Sequence, residues 1–139
     1  MDMVITFPGG KRVDATFDGV TVSTDQPVEV GGDGSAAAPF DLFLASLGTC
    51  AGYYVLAFCQ ARGLSTEGLS VVQHVTKDEA TKLPSRVEIE VTLPPGFPEK
   101  YRAAVQRAAE GCKVKKALAS PPTVAVTIAG ESSAATAAA

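Results

Sequence analysis

Three thiols, Cys50, Cys59 and Cys112, carry most of the chemistry this sequence offers. A thiol can attack an electrophile as its thiolate, exchange electrons through a disulfide, or hold a metal ion. Cys50 lies inside the apolar run Pro39-Phe-Asp-Leu-Phe-Leu-Ala-Ser-Leu-Gly-Thr-Cys50-Ala-Gly-Tyr-Tyr-Val. Cys112 follows Gly111 and opens Cys112-Lys-Val-Lys-Lys-Ala-Leu118. The two are 62 positions apart and form no C-x-x-C pattern, which argues against a metal clip or a thioredoxin-type motif. A buried thiol on one helix and a second at the start of another point to a dithiol able to cycle through a disulfide.

Spacing narrows the pairings. Cys50 and Cys59 are nine residues apart, which on a helix places them half a turn out of phase and about 13 Å apart. They cannot bond within the chain, and Cys59 reads as a small core residue. Cys50 is left to pair with Cys112 or with an outside thiol. The opposite facing also argues against a zinc site built from Cys50, Cys59, Cys112 and His74, since zinc ligands must converge to about 2.3 Å from one ion. His74 alternates within a strand pattern and reads as a surface or edge residue.

The expected electrostatics differ at the two remaining thiols. Cys112 sits near a helix N-terminus with Lys113, Lys115 and Lys116 close by, a setting that lowers a thiol pKa. Cys50 is mid-helix among apolar residues, which should raise its pKa, so as a nucleophile it needs a cation from elsewhere. Arg12, Lys11 and Arg62 are the candidates. Arg62 lies about 18 Å along the same helix, too far in cis; Arg12 opens a strand and could come over the helix from the same chain or a second one. Asp41 is again nine residues from Cys50 and would reach it only across a subunit boundary. Otherwise Asp41 is a first-turn residue that suits the helix dipole.

The elements that must position these groups read in order. Met3 to Phe7, Arg12 to Phe17 and Val20 to Thr24 form a three-stranded antiparallel meander, with Asp18-Gly19 as a two-residue hairpin turn. Residues 25–38 are a loop. Pro39 suits the first position of a helix that runs to about Arg62, with Gly63 as its stop. Gly48 and Gly52 share a face of that helix and would let another helix approach closely. Leu69 to Lys77 and Arg86 to Leu93 are strands. Glu99 to Glu110 is an amphipathic helix with Tyr101, Ala104, Val105 and Ala108 inward, and a short helix runs from Cys112 to about Leu118. Pro121 to Ile128 reads as a sixth, edge strand, and 131–139 as a mobile low-complexity tail on a single domain of 1–130. The class is α+β with mostly antiparallel sheets.

At 139 residues and 46% apolar content, one domain with a real core is the economical reading. A net charge of −3 gives no electrostatic case for nucleic acid or an anionic membrane. The uncharged stretch from Leu42 to Phe58 lacks a basic flank on its N-terminal side and fits a helix buried on all sides better than a membrane span. Covering it needs more surface than six strands and two short helices provide. An obligate homodimer with the two long helices at its centre is therefore expected, a compact monomer being the alternative. No secretory leader pattern is visible, so the expected location is cytoplasmic, with reduced thiols and any disulfide transient.

The segment from Pro39 to Cys50 resembles the first cysteine motif of the OsmC/Ohr family. Gly111-Cys112-Lys-Val-Lys-Lys-Ala-Leu118, followed by Pro121-Pro122 and a strand, resembles the second. Asp25-Gln-Pro27 with Gly31-Gly32-Asp33 is similar to the segment many OsmC-like members carry before the long helix, and the likeness spans roughly residues 5–129 in order. The resemblance implies an intertwined α+β homodimer with antiparallel sheets around a long central helix and thiol sites at the subunit interface. It also implies thiol-dependent reduction of organic hydroperoxides, with no cofactor and an external dithiol as reductant. By position Cys50 resembles the peroxidatic cysteine and Cys112 the resolving one. Arg12 occupies the neighbourhood of the activating arginine, with Lys11 one place away. In the dedicated hydroperoxidases the acidic partner directly follows the proline; here Phe40 stands there and Asp41 comes one later, as in the broader OsmC-like branch. Lys113 stands where many members carry a proline. Phe40, Phe43, Leu47, Tyr53 and Tyr54 would provide apolar walls for an organic peroxide. The second function kept in view is a non-catalytic OsmC-like module binding a small apolar ligand at the dimer interface.

Overall fold

The computed structural model describes residues 1–130; the tail expected at 131–139 lies outside the described residues. The chain is α+β, with two small antiparallel sheets and one long helix. β1 (Val4–Gly9), β2 (Arg12–Phe17) and β3 (Val20–Thr24) form the meander. Asp18 and Gly19 turn β2 into β3 with φ of 47° and 76°. Both residues are in the left-handed region that a type I′ hairpin turn demands, and glycine takes the second place at no steric cost.

The helix α1 runs Pro39–Ala61, with Pro39 in its first turn and Asp41 the acidic first-turn residue. It is followed by β4 (Ser70–Lys77) and β5 (Pro84–Thr92), paired in register Val71↔Val91, Gln73↔Ile89 and Val75↔Val87. These residues alternate with exposed neighbours such as His74 and Glu88, as a two-faced antiparallel ribbon requires. A short 3₁₀ turn, Glu99–Tyr101, leads into α2 (Arg102–Glu110), and α3 (Lys113–Ala119) follows directly.

The core lies where α1, α2 and the β4–β5 ribbon meet. Val55, Phe58 and Cys59 of α1 pack with Val105 of α2 and with Phe97, which the Pro94–Pro98 loop folds inward. Each fully buried side chain of the size of Val55 contributes roughly 1.5–3 kcal/mol. Tyr101, Ala104 and Ala108 pack against this cluster as the amphipathic pattern predicts.

Three expectations are corrected. First, residues 121–128 form no strand. Val124, Val126 and Ile128 alternate as a strand would, but among the described residues no strand pairs with them and all three are exposed. Five strands are therefore formed among the described residues, and the alternation alone could not create a sixth, because strand hydrogen bonds need a neighbour. Second, α1 is not buried on all sides within one chain: Phe40, Phe43, Tyr53 and Leu56 remain exposed. By length and composition alone α1 could cross a bilayer, with mean hydropathy 1.7, but in this fold Leu47, Ala51, Val55, Phe58 and Cys59 are buried in the protein. Third, the face bearing Gly48 and Gly52 receives β4, not another helix. A Cβ at position 48 would stand 2.9 Å from Gln73 Oε1, and one at position 52 would stand 3.8 Å from Val71 Cγ2. Gln73 Nε2 donates to the Leu44 carbonyl at 3.0 Å, tying the strand to the helix.

Candidate functional site: a dithiol between α1 and α3

Cys50 is half-buried on α1, and Cys112 is buried as the N-cap of α3. At φ −62° and ψ 145°, Cys112 has the extended backbone of an N-cap, and its Sγ accepts a hydrogen bond from the Lys115 N–H at 3.4 Å. α3 packs against α1, and its first turn comes to Cys50. The Cys50 thiol pKa is pulled below the ordinary value, chiefly by the Val114 N–H. Burial opposes the shift, while the Cys112 thiol, the Lys113 N–H and the Lys113 ammonium add to it. This corrects the expectation that apolar surroundings would raise the Cys50 pKa. The thiol does sit mid-helix, but a second helix from 62 positions later aims unsatisfied amides at it, and hydrogen bonds to the charged form favour that form.

Cys59 behaves as its spacing predicts. It is fully buried in the core, and burial raises its pKa, offset only in part by Arg62. The two free thiols brought together are thus Cys50 and Cys112, and all three cysteines are free. Among the described residues no cluster of three His, Cys, Asp or Glu side chains could hold a metal ion. His74 is exposed on β4 with Glu90 at 3.5 Å.

Within one chain the expected cations make other contacts. Arg12 Nη2 lies 3.4 Å from Asp14 Oδ2 within the meander, and Ser23 Oγ donates to the same carboxylate oxygen at 3.2 Å. The Lys11 Cε stands 3.7 Å from where a Cβ on Gly31 would lie. Arg62 stacks its guanidinium 3.7 Å over the Phe58 ring. Asp41 is exposed in the first turn of α1. Of the apolar walls, Leu47 is buried, while Phe40 and Phe43 stack on each other with centroids 5.6 Å apart at the exposed start of α1.

The loop that delivers α1 is organised by Asp25, to which the sequence assigns no role of its own. Asp25 is fully buried, and its carboxylate accepts from the N–H groups of Gln26, Asp33 and Ser35 and from Ser35 Oγ at 2.7 Å. These bonds, those from Ser35 first, lower its pKa to about 2. Its sequence signals are its place in the Asp25-Gln-Pro27 segment that resembles the family and its position at the head of a Gly- and Ser-containing loop, a common turn pattern.

A groove of about 750 Å³ opens between β5, α1 and α2. Val55, Val87, Ile89, Val91 and Val105 line it, and Lys115 stands at its edge.

The family model described as OsmC-like protein matches residues 32–127. The chain belongs to the OsmC-like family. Both thiols, α1 and the β4–β5 ribbon fall within the matched span; the meander lies outside it. A search of curated proteins gives no match. Among solved structures, the chain is similar to one described as an osmotic stress induced and detoxification response protein from Psychrobacter arcticus. The TM-score is 0.70 at 23% identity, over 83% of this chain and 85% of that one. It is also similar to one described as an organic hydroperoxide resistance protein OsmC and redox protein from Legionella pneumophila. There the TM-score is 0.52 at 22% identity, over 85% and 89% of the two chains. At these identities the likeness is one of fold.

Proposed function

We propose that this OsmC-like protein is a thiol-dependent peroxidase that reduces organic hydroperoxides, with Cys50 as the attacking thiol and Cys112 as the resolving one. The observation that carries the reading is the approach of α3 to Cys50, which supplies both a thiolate-stabilising set of N–H groups and a second thiol. The Cys50 thiolate attacks the terminal oxygen of the hydroperoxide. The O–O bond breaks, the hydroxyl passes to sulfur so that Cys50 becomes a sulfenic acid, and the departing alkoxide takes a proton from water to leave as the alcohol. The Cys112 thiol attacks that sulfur, water leaves, and a disulfide forms. An external dithiol returns two electrons and is itself oxidised.

The reading extends to a homodimer. It is supported by the exposed apolar side chains of α1, of the meander (Ile5, Phe7 and Val20) and of residues 124–128, a larger apolar surface than isolated chains usually leave bare. In that dimer Arg12 and Asp41 are proposed to approach the thiols across the subunit boundary, since within one chain neither does. Three reduced thiols fit a reducing compartment such as the cytoplasm.

The test is consumption of cumene hydroperoxide with a dithiol reductant, combined with dimedone trapping. The expected result is a dimedone adduct on Cys50, accumulating most in Cys112→Ser. An adduct on Cys112 alone would reverse the two roles, and equal consumption by wild type and Cys50→Ser would sink the peroxidase. The groove favours one other reading, an apolar ligand carrier. That reading would gain if a fluorescent apolar probe bound there and no hydroperoxide were consumed.

A further inference from the structure

The meander holds a buried carboxylate that neither the core nor the thiol pair uses. Asp14 lies on β2 and is only 8% exposed. It stands opposite Ser23 of β3 and two residues along β2 from Arg12, so the three side chains share one face of the sheet. Ser23 Oγ donates to Asp14 Oδ2 at 3.2 Å, and Arg12 Nη2 donates to the same oxygen at 3.4 Å.

This pairing is half made. Asp14 Oδ1 and Arg12 Nε are both buried, and among the described residues neither has a hydrogen-bond partner. One is an acceptor and the other a donor, and they belong to the two residues already joined through Oδ2 and Nη2. A guanidinium is a rigid fork of N–H groups that matches a carboxylate by two parallel bonds. Buried polar atoms rarely stay unsatisfied, so the two orphans mark the second bond of one fork. The Arg12 side chain is still 41% exposed, which leaves part of it open to a further group.

We propose that Asp14, seated on Ser23, is the positioning residue of Arg12: it holds the guanidinium by its Nε–Nη2 edge and so fixes the direction in which the positive charge is presented. The inference rests on the proposed approach of Arg12 to the thiols across the subunit boundary, and it assigns the carboxylate that steers that arginine. Asp41 is exposed in the first turn of α1 and forms no ion pair among the described residues. Asp14 is buried, already in contact with Arg12, and anchored by a neighbouring hydroxyl. An arginine held in this way has given up its rotamer freedom within its own chain, so less ordering remains to oppose its action on a second one.

The test is a double-mutant cycle in the full chain with two readouts. One is the rate of Cys50 alkylation by iodoacetamide near pH 7, with the labelled thiol assigned by peptide mass spectrometry. The other is the rate of cumene hydroperoxide consumption with a dithiol reductant. Arg12→Ala is expected to slow both about tenfold. Asp14→Asn, which keeps the shape of the side chain, should slow both about fivefold, and Ser23→Ala about twofold. The double variant Arg12→Ala/Asp14→Asn should be no slower than Arg12→Ala alone, because without the guanidinium Asp14 has nothing to steer. Asp14→Glu, which keeps a carboxylate, should recover part of the loss.

Slowing by Asp14→Asn that multiplies with that of Arg12→Ala in the double variant would mean that Asp14 serves only the stability of the meander, and would overturn the proposal. Unchanged rates in Arg12→Ala overturn it as well, as does a parallel cycle in which Asp41→Asn, rather than Asp14→Asn, is coupled to Arg12. If Asp14→Asn does not fold, the cycle with Ser23→Ala decides, since that variant keeps the carboxylate and removes one of its anchors; independent effects there are equally fatal. The proposal and the peroxidase reading fail separately. If the coupling appears in alkylation while no hydroperoxide is consumed, Asp14 keeps its role and the peroxidase is lost. If Cys50 is required for hydroperoxide consumption but the two substitutions act independently, only the proposal is lost.

Discussion

Around Cys59, α1 meets hydrocarbon: Val55, Phe58, Phe97 and Val105 enclose the sulfur, and burial raises its pKa. Around Cys50, nine residues earlier on the same helix, α1 meets the first turn of α3, and the Val114 N–H leads a set of groups that lowers the pKa. Both thiols are withdrawn from free water to some degree, yet they move in opposite directions. The difference lies in the neighbour. An apolar wall penalises the thiolate, whereas amides left unpaired at a helix start reward it. Burial alone does not decide whether a cysteine is reactive; what fills the space around it does.

Substitution at the two positions should give the largest contrast. Cys50→Ser is expected to reduce hydroperoxide consumption at least about a hundredfold. Cys59→Ala should leave turnover near wild type while lowering stability by roughly 1 kcal/mol for the lost core sulfur. Loss of turnover in Cys59→Ala, in protein that is still folded by circular dichroism, would break the contrast.

Chemical labelling sharpens it. In native protein near pH 7, iodoacetamide should modify Cys50 on the order of a hundredfold faster than Cys59, with Cys59 becoming reactive only in denaturant. Comparable native rates for the two sulfurs would mean that the core around Cys59 opens freely.

The same physics can be probed at Asp25, the other acid held ionised by N–H groups. Its folded pKa of about 2 lies below the ordinary 3.8. The stability it contributes is therefore present above about pH 4 and is lost as pH falls toward 2. Asp78, lowered by bonds from Thr81, adds to the same acid limb. Asp25→Asn should flatten the limb of a denaturation-versus-pH curve between about pH 4 and 2. An unchanged limb would remove Asp25 from the account.

The smallest effect is expected at the helix–strand contact beneath the dithiol. Gly52→Ala meets only ordinary contact at Val71, while Gly48→Ala presses on Gln73 and its bond to the Leu44 carbonyl. Both gain helix propensity, so the Gly52 variant should be the more stable of the two by about 1 kcal/mol in thermal melts. The reverse order would place the close approach of β4 elsewhere on α1.

Much of this was legible before any coordinates. The alternation of β4 and β5, the Asp18-Gly19 turn, the proline start of α1 and the inward face of α2 all follow from local pattern. The half-turn offset of Cys50 and Cys59 followed from helix geometry and separated a core thiol from a candidate nucleophile. What stayed hidden was what each face meets. Periodicity placed Cys50 on an apolar helix but could not show that α3 would bring Val114 and Lys113 to it. Two glycines marked a face for close approach without saying that a strand, not a helix, would use it. The pattern Val124, Val126, Ile128 has strand periodicity, but a strand is a relation between two segments, and among the described residues that segment has no partner. Nor could spacing show that within one chain Arg12 pairs with Asp14, two residues along the same strand and on the same face.

The unequal exposure of the two site sulfurs sets a direction for their traffic. Cys112 is sealed behind the start of α3, while Cys50 is partly open. A reductant arriving at the oxidised pair would therefore reach the Cys50 sulfur first and expel Cys112 as the departing thiolate, into a spot where the Lys115 amide already points at it. In the proposed cycle, entry and exit of electrons would share one doorway.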